Sequence, residues 1–277
     1  MDGAEAVAGA DFARLILKKE MCETAENVIR NISRTLCAPY VRFNELIGTR
    51  TGAVSICGSG PSLRDEYTEL VGDVMACNGA HDFLIERGII PTYGMLFDAA
   101  PAMADFITPH HDVIYLIASR CHEAVFRKLE DYNVVVWHCM GDPGLVPLLE
   151  AESINEPAIH GGSAAVLRAA ILAWVMGHQE CHLFGCDSSY EDGQHHAGKT
   201  LVPETEIDVC PVIGGQGGKW FKSTAWMAGQ VEDFIDMFPA MTKKGYRMVV
   251  HGRGLLPEMA RAMGAEVITK GEVNAGK

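Results

Sequence analysis

From residue 53 onward, short β-prone apolar runs alternate with segments of helical spacing. The runs are "AVSIC", "VMACN", "YGMLFD", "VIYLIA", "NVVVWH", "ECHLFGCD" and "YRMVVHG", with "EVIT" as a candidate for a last one. Their spacings suit βα units rather than hairpins, which predicts an α/β fold with a doubly wound, mostly parallel sheet. Ahead of it, Phe12, Leu15, Ile16, Val28, Ile29, Ile32 and Leu36 recur at near-helical spacing. They predict a lead-in of one or two amphipathic helices, and Pro39 stops it. The stretch "GGSAAVLRAAILAWVMG" is apolar on nearly all sides and predicts a buried helix that starts near Ser163. Residues 191–218 are polar and glycine-rich, a long connection of the functional or mobile kind.

Composition narrows the function classes. Apolar residues make up 48% of the 277 and charged residues 21%, the profile of an ordinary soluble domain. The formal net charge of −13 makes a poor non-specific ligand for nucleic acid or anionic lipid. The first twenty residues carry neither a basic start nor a long apolar core, so no signal peptide is expected. The apolar run near residues 164–176 contains Arg168 and is too short to span a bilayer. Nine cysteines without a CxxC pair give no zinc or thioredoxin pattern, and Cys57, Cys77, Cys181 and Cys186 lie in apolar runs. A cytoplasmic protein is the expectation.

Parallel sheets bind ligands beyond the carboxyl ends of their strands. Those ends read Cys57 with Gly58, Asn78, Asp98, Ser119 with Arg120, His138, Asp187 and His251, a row that predicts a polar crevice. The loop Gly58-Ser59-Gly60-Pro61-Ser62 begins like GxGxxG but has Leu63 in the third glycine's place. Asn78 stands where a dinucleotide fold would carry an acid. Both departures argue against NAD, and without a following lysine the loop is not a Walker-A loop. What remains is a strand-to-helix turn whose exposed amides would cradle phosphate, with Pro61 in the first helical turn and hydroxyls from Ser59 and Ser62. A second such site is expected at Gly161, Gly162 and Ser163, with Ser163 as the N-cap of the buried helix.

Taken together, "ICGSGPSL", "CNGAHDFLIERGIIPTYGMLFD" and "GGSAAVLRAAILAWVMGHQECHLFGCDSSY" resemble the MptE-like family, whose best-understood members are 6-hydroxymethylpterin diphosphokinases. The resemblance runs over roughly residues 25–255. More distantly, the GPSL loop, the Cys-Asn pair and the late Gly-x-Asp are similar to those of bacterial CMP-sialic-acid sialyltransferases. The resemblance implies a Rossmann-like nucleotide-binding catalytic domain over residues 51–277, behind a helical segment over residues 1–50. It further implies that Gly58, Ser59, Gly60, Pro61 and Ser62 hold phosphate, that Asn78 bonds the ribose or a phosphate, and that Gly162 and Ser163 meet the nucleotide from the other side. Asp187 would face the nucleoside or its metal, and Asp98 is a further candidate ligand for Mg²⁺.

The leading expectation is a magnesium-dependent transfer from ATP to a hydroxymethyl, pterin-like or other alcohol acceptor. Asp98 and Asp187 would hold the metal, and His195 or His196 would take the acceptor's proton. Lys219, Lys222, Ser223 and Thr224 suit contact with a terminal phosphate, and Trp220, Phe221 and Trp226 could stack on a flat ring. Two alternatives stand beside it: glycosyl transfer from a CMP-sugar, and a nucleotide-binding or assembly protein without catalysis. The expected partners are a nucleotide and a small alcohol, with no nucleic acid and no membrane, and with a homo-oligomer allowed by the apolar lead-in.

Overall fold

The computed structural model describes residues 23–198, 205–213 and 216–270, so Phe12, Leu15 and Ile16 of the predicted lead-in lie outside the described residues. Along the chain run α1 (Ala25–Cys37), β1 (Val41–Arg42), β2 (Ala53–Cys57), α2 (Leu63–Glu66), β3 (Asp73–Cys77), α3 (Ala80–Ile85) and β4 (Tyr93–Leu96). Next come β5 (Ile114–Ala118), α4 (Glu123–Lys128), β6 (Asn133–Cys139), α5 (Leu145–Ala151), β7 (Ala158–Ile159), α6 (Ala165–Met176) and β8 (Glu180–Phe184). The remainder is β9 (Ile207–Val209), β10 (Val212–Ile213), β11 (Gln216–Gly217), β12 (Phe221–Ser223), α7 (Ala225–Lys243), β13 (Arg247–His251), α8 (Leu255–Ala262) and β14 (Glu266–Ile268).

One sheet takes the order β1-β6-β5-β4-β3-β2-β8-β13-β14, with β7 added at the end of β6. Every pairing in it is parallel. The doubly wound α/β expectation is borne out. Each predicted run forms a strand, although β4 stops at Leu96 and β8 at Phe184, leaving Asp98 and Asp187 in the loops beyond. The pattern did not mark β1 and β7, which are two residues each. Two antiparallel pairs, β10 with β11 and β12 with β9, stand apart from the main sheet.

The apolar runs are continuous because both faces of the sheet are covered. Val54 and Ile56 of β2, Met75 of β3 and Leu183 of β8 point into the core beneath α6. Their neighbours Cys57, Ala76 and Phe184 point the other way, toward Leu63, Ala80, Phe83 and Leu84. Helix α6 sits over the middle of the sheet with Leu167, Ala169, Ala170, Leu172 and Ala173 fully buried. Each large side chain buried this way contributes about 1.5–3 kcal/mol.

The winding reverses at β2. From β2 the chain steps outward through β3, β4, β5 and β6, and later returns to lay β8 against the other side of β2. The loops after β2 and β8 therefore part company above the sheet and leave a crevice between them.

The lead-in is not set apart from this body. Strand β1 extends the main sheet beside β6, pairing Val41 with Val135. Helix α1 is bolted to the loop after β5: Asn31 Nδ2 donates to Arg120 O at 2.9 Å and Arg34 to Cys121 O at 3.1 Å, while the Thr35 hydroxyl reaches Ser119 O at 3.3 Å. Among the described residues no helix is long and apolar enough to cross a membrane. Since Asn31 is buried, Asn31→Ala should leave the Arg120 carbonyl without its donor and cost about 1–3 kcal/mol in urea unfolding. A variant as stable as the parent would mean that α1 is not docked in solution.

Candidate functional site

The loop after β2 continues the sheet instead of opening to a ligand. The Gly58 amide donates to Phe184 O and the Gly60 amide to Gly185 O, both at 2.8 Å. The Ser62 amide donates to Asp187 Oδ2 at 2.7 Å, and the Ser62 hydroxyl donates to Asp187 Oδ1. Ala197 N–H closes on Ser59 O at 2.6 Å. These contacts explain the glycines. A Cβ on Gly58 would stand 2.6 Å from Gly185 O, and one on Gly60 would stand 2.6 Å from the same oxygen and 2.8 Å from Asp187 Oδ2. What comes close to this backbone is the loop after β8.

The expected amide cradle is thereby corrected. Three of its amides already have internal acceptors, Pro61 has no N–H, and α2 is only four residues long, too short to present a dipole to a ligand. The second expected cradle is changed in the same way. Ser163 does not cap α6; Ala164 holds the N-cap position and contributes no side-chain bond. The Ser163 amide and hydroxyl instead donate to Asp233 Oδ2 at 2.7 and 2.6 Å.

Between the two loops lies a cavity of about 220 Å³ lined by Gly58, Ser59, Gly60, Cys77 and Asn78, by residues 163–166 of the α6 start, and by residues 185–188. His195 and His196 close it on one side, and Trp226, Met227 and Gln230 of α7 on the other. That volume falls below the roughly 300–1,000 Å³ of pockets that enclose a whole drug-sized ligand, so the cavity has room for only part of a molecule of that size. Of the residues singled out in the sequence, Gly58, Ser59, Gly60, Asn78, Ser163, Asp187 and His195 line it. Pro61, Ser62, Gly162 and Asp98 do not.

Three residues of this lining carry a buried polar atom with unmet bonding capacity. Asn78 Oδ1, Ser188 Oγ and His195 Nε2 are buried without a hydrogen-bond partner from the protein. Folded proteins leave few such groups, because each forfeits its bonds to water. Asn78 and Ser188 also hold left-handed backbone, φ +49° and +52°, which non-glycine residues adopt at a cost. Strain and unmet bonding capacity thus coincide at two positions of one cavity wall. Beside them Ser59 Oγ and His196 Nδ1 are 2.8 Å apart. Burial, helped by neighbouring His195, lowers the His196 pKa to about 4, so its ring is neutral at pH 7. The His195 ring packs between Tyr190 and His196, with centroids 4.7 and 4.2 Å away.

Among the described residues no lysine or arginine lines the cavity. Arg64 lies behind the wall and holds the 194–197 segment through Gln194 Oε1, His196 O and Ala197 O. Arg253 is engaged by Glu191 at 2.5 Å and Asp65 at 2.7 Å. The expected phosphate contacts of residues 219–224 are corrected too. Lys222 pairs with Glu206 and Asp208, Lys219 lies over the Phe221 ring, Ser223 donates to Ser188 O, and Thr224 caps α7. Trp226 does line the cavity and is exposed.

A magnesium ion shared by Asp98 and Asp187 does not fit this arrangement. Asp98 lies outside the cavity lining, and its Oδ1 accepts from Ala100 N–H at 2.9 Å, at the start of the 3-10 turn Pro101–Phe106. Both Asp187 oxygens face Ser62. Among the described residues no group of three or more His, Cys, Asp or Glu side chains is placed to hold a metal. The other strand ends are partnered internally as well: His138 with Ser119 and Glu156, Arg120 with Asp142, and His251 with His182.

Burial pushes the Asp187 carboxyl up to about 7, against the pull of its Ser62 hydrogen bonds. Since that lies above its ordinary 3.8, ionisation favours the unfolded chain. The group's contribution is complete below about pH 4 and is lost as pH rises through about 7. Asp187→Asn should therefore lose less stability than the parent across that window. Some slope remains from Glu66, which burial also raises to about 7. Thermal midpoints measured against pH would check this, and parallel profiles for the two proteins would refute it. Gly60→Ala should cost about 1–3 kcal/mol in urea unfolding, because its Cβ meets backbone rather than a movable side chain.

Several residues of the cavity wall and its supports escaped the sequence reading. Ser188 lies in the quoted "GCDSSY" stretch with nothing to mark it as a wall residue, Gln230 carries no motif, and Asp233 sits mid-helix in α7, seventy positions from the serine it meets. Only the "HH" pair and Trp226 gave a signal, and of these the bond from His196 to Ser59 joins residues 137 positions apart.

Comparison with known proteins agrees with the fold. The chain is similar to the MAf glycosyltransferase from Magnetospirillum magneticum AMB-1, with 16% identity and a TM-score of 0.62. The match covers 92% of this chain and 40% of that one, so the chain spans well under half of that protein's length. A mammalian sialyltransferase matches at 12% identity and a TM-score of 0.35, over 66% of this chain and 72% of the other. No curated protein matches the sequence. The sequence model of the 6-hydroxymethylpterin diphosphokinase MptE-like family matches residues 26–193, which include nearly all of α1, the β2 loop, Asn78, the α6 start and Asp187, and stop short of His195. The chain belongs to this transferase-type family.

Proposed function

We propose that the cavity receives the nucleoside end of a nucleotide-linked donor, and that the protein transfers the group carried by a nucleoside monophosphate, as in a CMP-sugar, to an acceptor hydroxyl. The supporting observation is the character of the lining: unmet hydrogen-bonding atoms from Asn78, Ser188 and His195, and no lysine or arginine among the described residues. Such a wall suits the hydroxyls and ring edges of a nucleoside with a single phosphate. In the transfer, the bond from the donated carbon to phosphate oxygen breaks and its electron pair leaves with the nucleoside monophosphate. A new bond forms from that carbon to the acceptor oxygen, whose proton passes to a base. His195 takes that role in this reading, with Nε2 unpartnered in the cavity wall. Trp226 stacks on a ring, and Ser59, oriented by His196, holds the phosphate oxygen.

Family membership favours a second reading, magnesium-dependent transfer of a pyrophosphoryl group from ATP to an alcohol. That chemistry asks the site to neutralise a triphosphate. The absence of lining cations and of a carboxylate cluster among the described residues weighs against it.

Thermal shift separates the two, because a ligand that binds only the folded chain raises its midpoint. CMP without metal should stabilise the protein, and Asn78→Ala should weaken CMP about tenfold, the value of one or two buried hydrogen bonds. Incubation with a CMP-sugar and an alcohol should release CMP. Stabilisation by ATP only with Mg²⁺, with AMP as the product, would establish the diphosphokinase instead.

A further inference from the structure

We infer that Asp233 is a specificity-determining residue, whose carboxylate occupies the amino end of α6 as a built-in anion and so turns away donors that carry several phosphates. The inference rests on the proposed reading for the identity of the nucleotide, but its geometry stands alone. Helix α6 has twelve residues, enough to present a positive end, and Ser163, Ala164, Ala165 and Val166 at that end line the cavity. An anionic group of a ligand would be drawn there first. Asp233 is there already: Oδ2 accepts both the Ser163 amide, at 2.7 Å, and the Ser163 hydroxyl, at 2.6 Å.

The carboxylate also lies close against the backbone that leads into the helix. At Gly162, φ +73°, a Cβ would stand 2.5 Å from the Asp233 carboxyl carbon. Glycine is needed there because an acidic side chain lies against the backbone. The carboxylate arrives on α7, whose Gln230, one turn earlier, is part of the cavity wall. Wall and anion are therefore delivered by one helix.

The other serine that follows this pattern is treated alike. Ser62 gives its amide and hydroxyl to the two oxygens of Asp187. Each paired donor set that could grip a phosphate oxygen thus faces a carboxylate of the chain itself. A triphosphate laid along this wall would meet those acids with no lysine or arginine among the described lining residues to offset them. A single phosphate can still use Ser59.

The test measures binding of inorganic tripolyphosphate and of CMP by calorimetry, without metal, to the full chain and to Asp233→Ala and Asp233→Asn. The parent should bind tripolyphosphate weakly. Asp233→Ala, which clears the helix end, should bind it about tenfold more tightly, with Asp233→Asn in between because it removes the charge and keeps the shape. Thermal midpoints confirm that each variant is folded, and Asp233→Asn carries the test if the alanine variant is not. Tripolyphosphate binding equal in parent and folded variants, or tight binding by the parent, would overturn the inference. A gain at Asp233 with no CMP binding by any form would uphold it while removing the nucleoside monophosphate reading. CMP binding without the gain would do the reverse.

Discussion

The site depends on the continuation of sheet bonding past the ends of β2 and β8. Two backbone bonds, Gly58 to Phe184 and Gly60 to Gly185, carry the pairing beyond the last strand residues. The Ser62–Asp187 contact then locks the end of the seam. The approach is possible only without side chains, since a Cβ at either glycine would lie 2.6 Å from Gly185 O. The same seam fixes the cavity floor and turns Ser59 toward His196. It also brings Asp187, Ser188 and the 194–197 segment to one side of the crevice. The fold's winding reversal opens a gap at this point, and the glycines decide how narrow it is.

Electrostatically the crevice is self-contained. A chain of net charge −13 would be expected to gather cations around any anion site, yet Arg64 and Arg253 are held behind the wall by carbonyls and carboxylates. Inside, the acids that could repel a ligand are bonded to serines. Asp187 is buried deeply enough that its charge is costly, which its raised pKa expresses. What the wall then offers is hydrogen bonding from Asn78, Ser188 and a histidine pair.

Strain is concentrated in the same place. Asn78 and Ser188 sit at the ends of the loops that leave β3 and β8, both in left-handed backbone and both with an unbonded polar atom. Either feature alone could be a turn. Together they place strain and unmet bonding capacity in the wall of one cavity.

Much of the architecture was legible in the sequence. The alternation of apolar runs and helical spacing located the sheet, because a parallel sheet covered on both faces requires continuous β-prone segments. The apolar stretch after Ser163 announced α6 for the same reason, and the family motifs placed the crevice beyond β2 and β8. The partners of the polar residues were not legible. Whether Gly60 faces a ligand or Gly185, whether Ser163 caps its helix or binds Asp233, and whether Asp98 reaches Asp187 are settled by segments far apart in the chain. Ser62 meets Asp187 across 125 positions and Ser163 meets Asp233 across 70. Local pattern determines which residues form an element, because backbone sterics and burial act over a few residues. A hydrogen bond belongs to whichever donor and acceptor the packed elements bring within about 3 Å, and only the tertiary structure decides that.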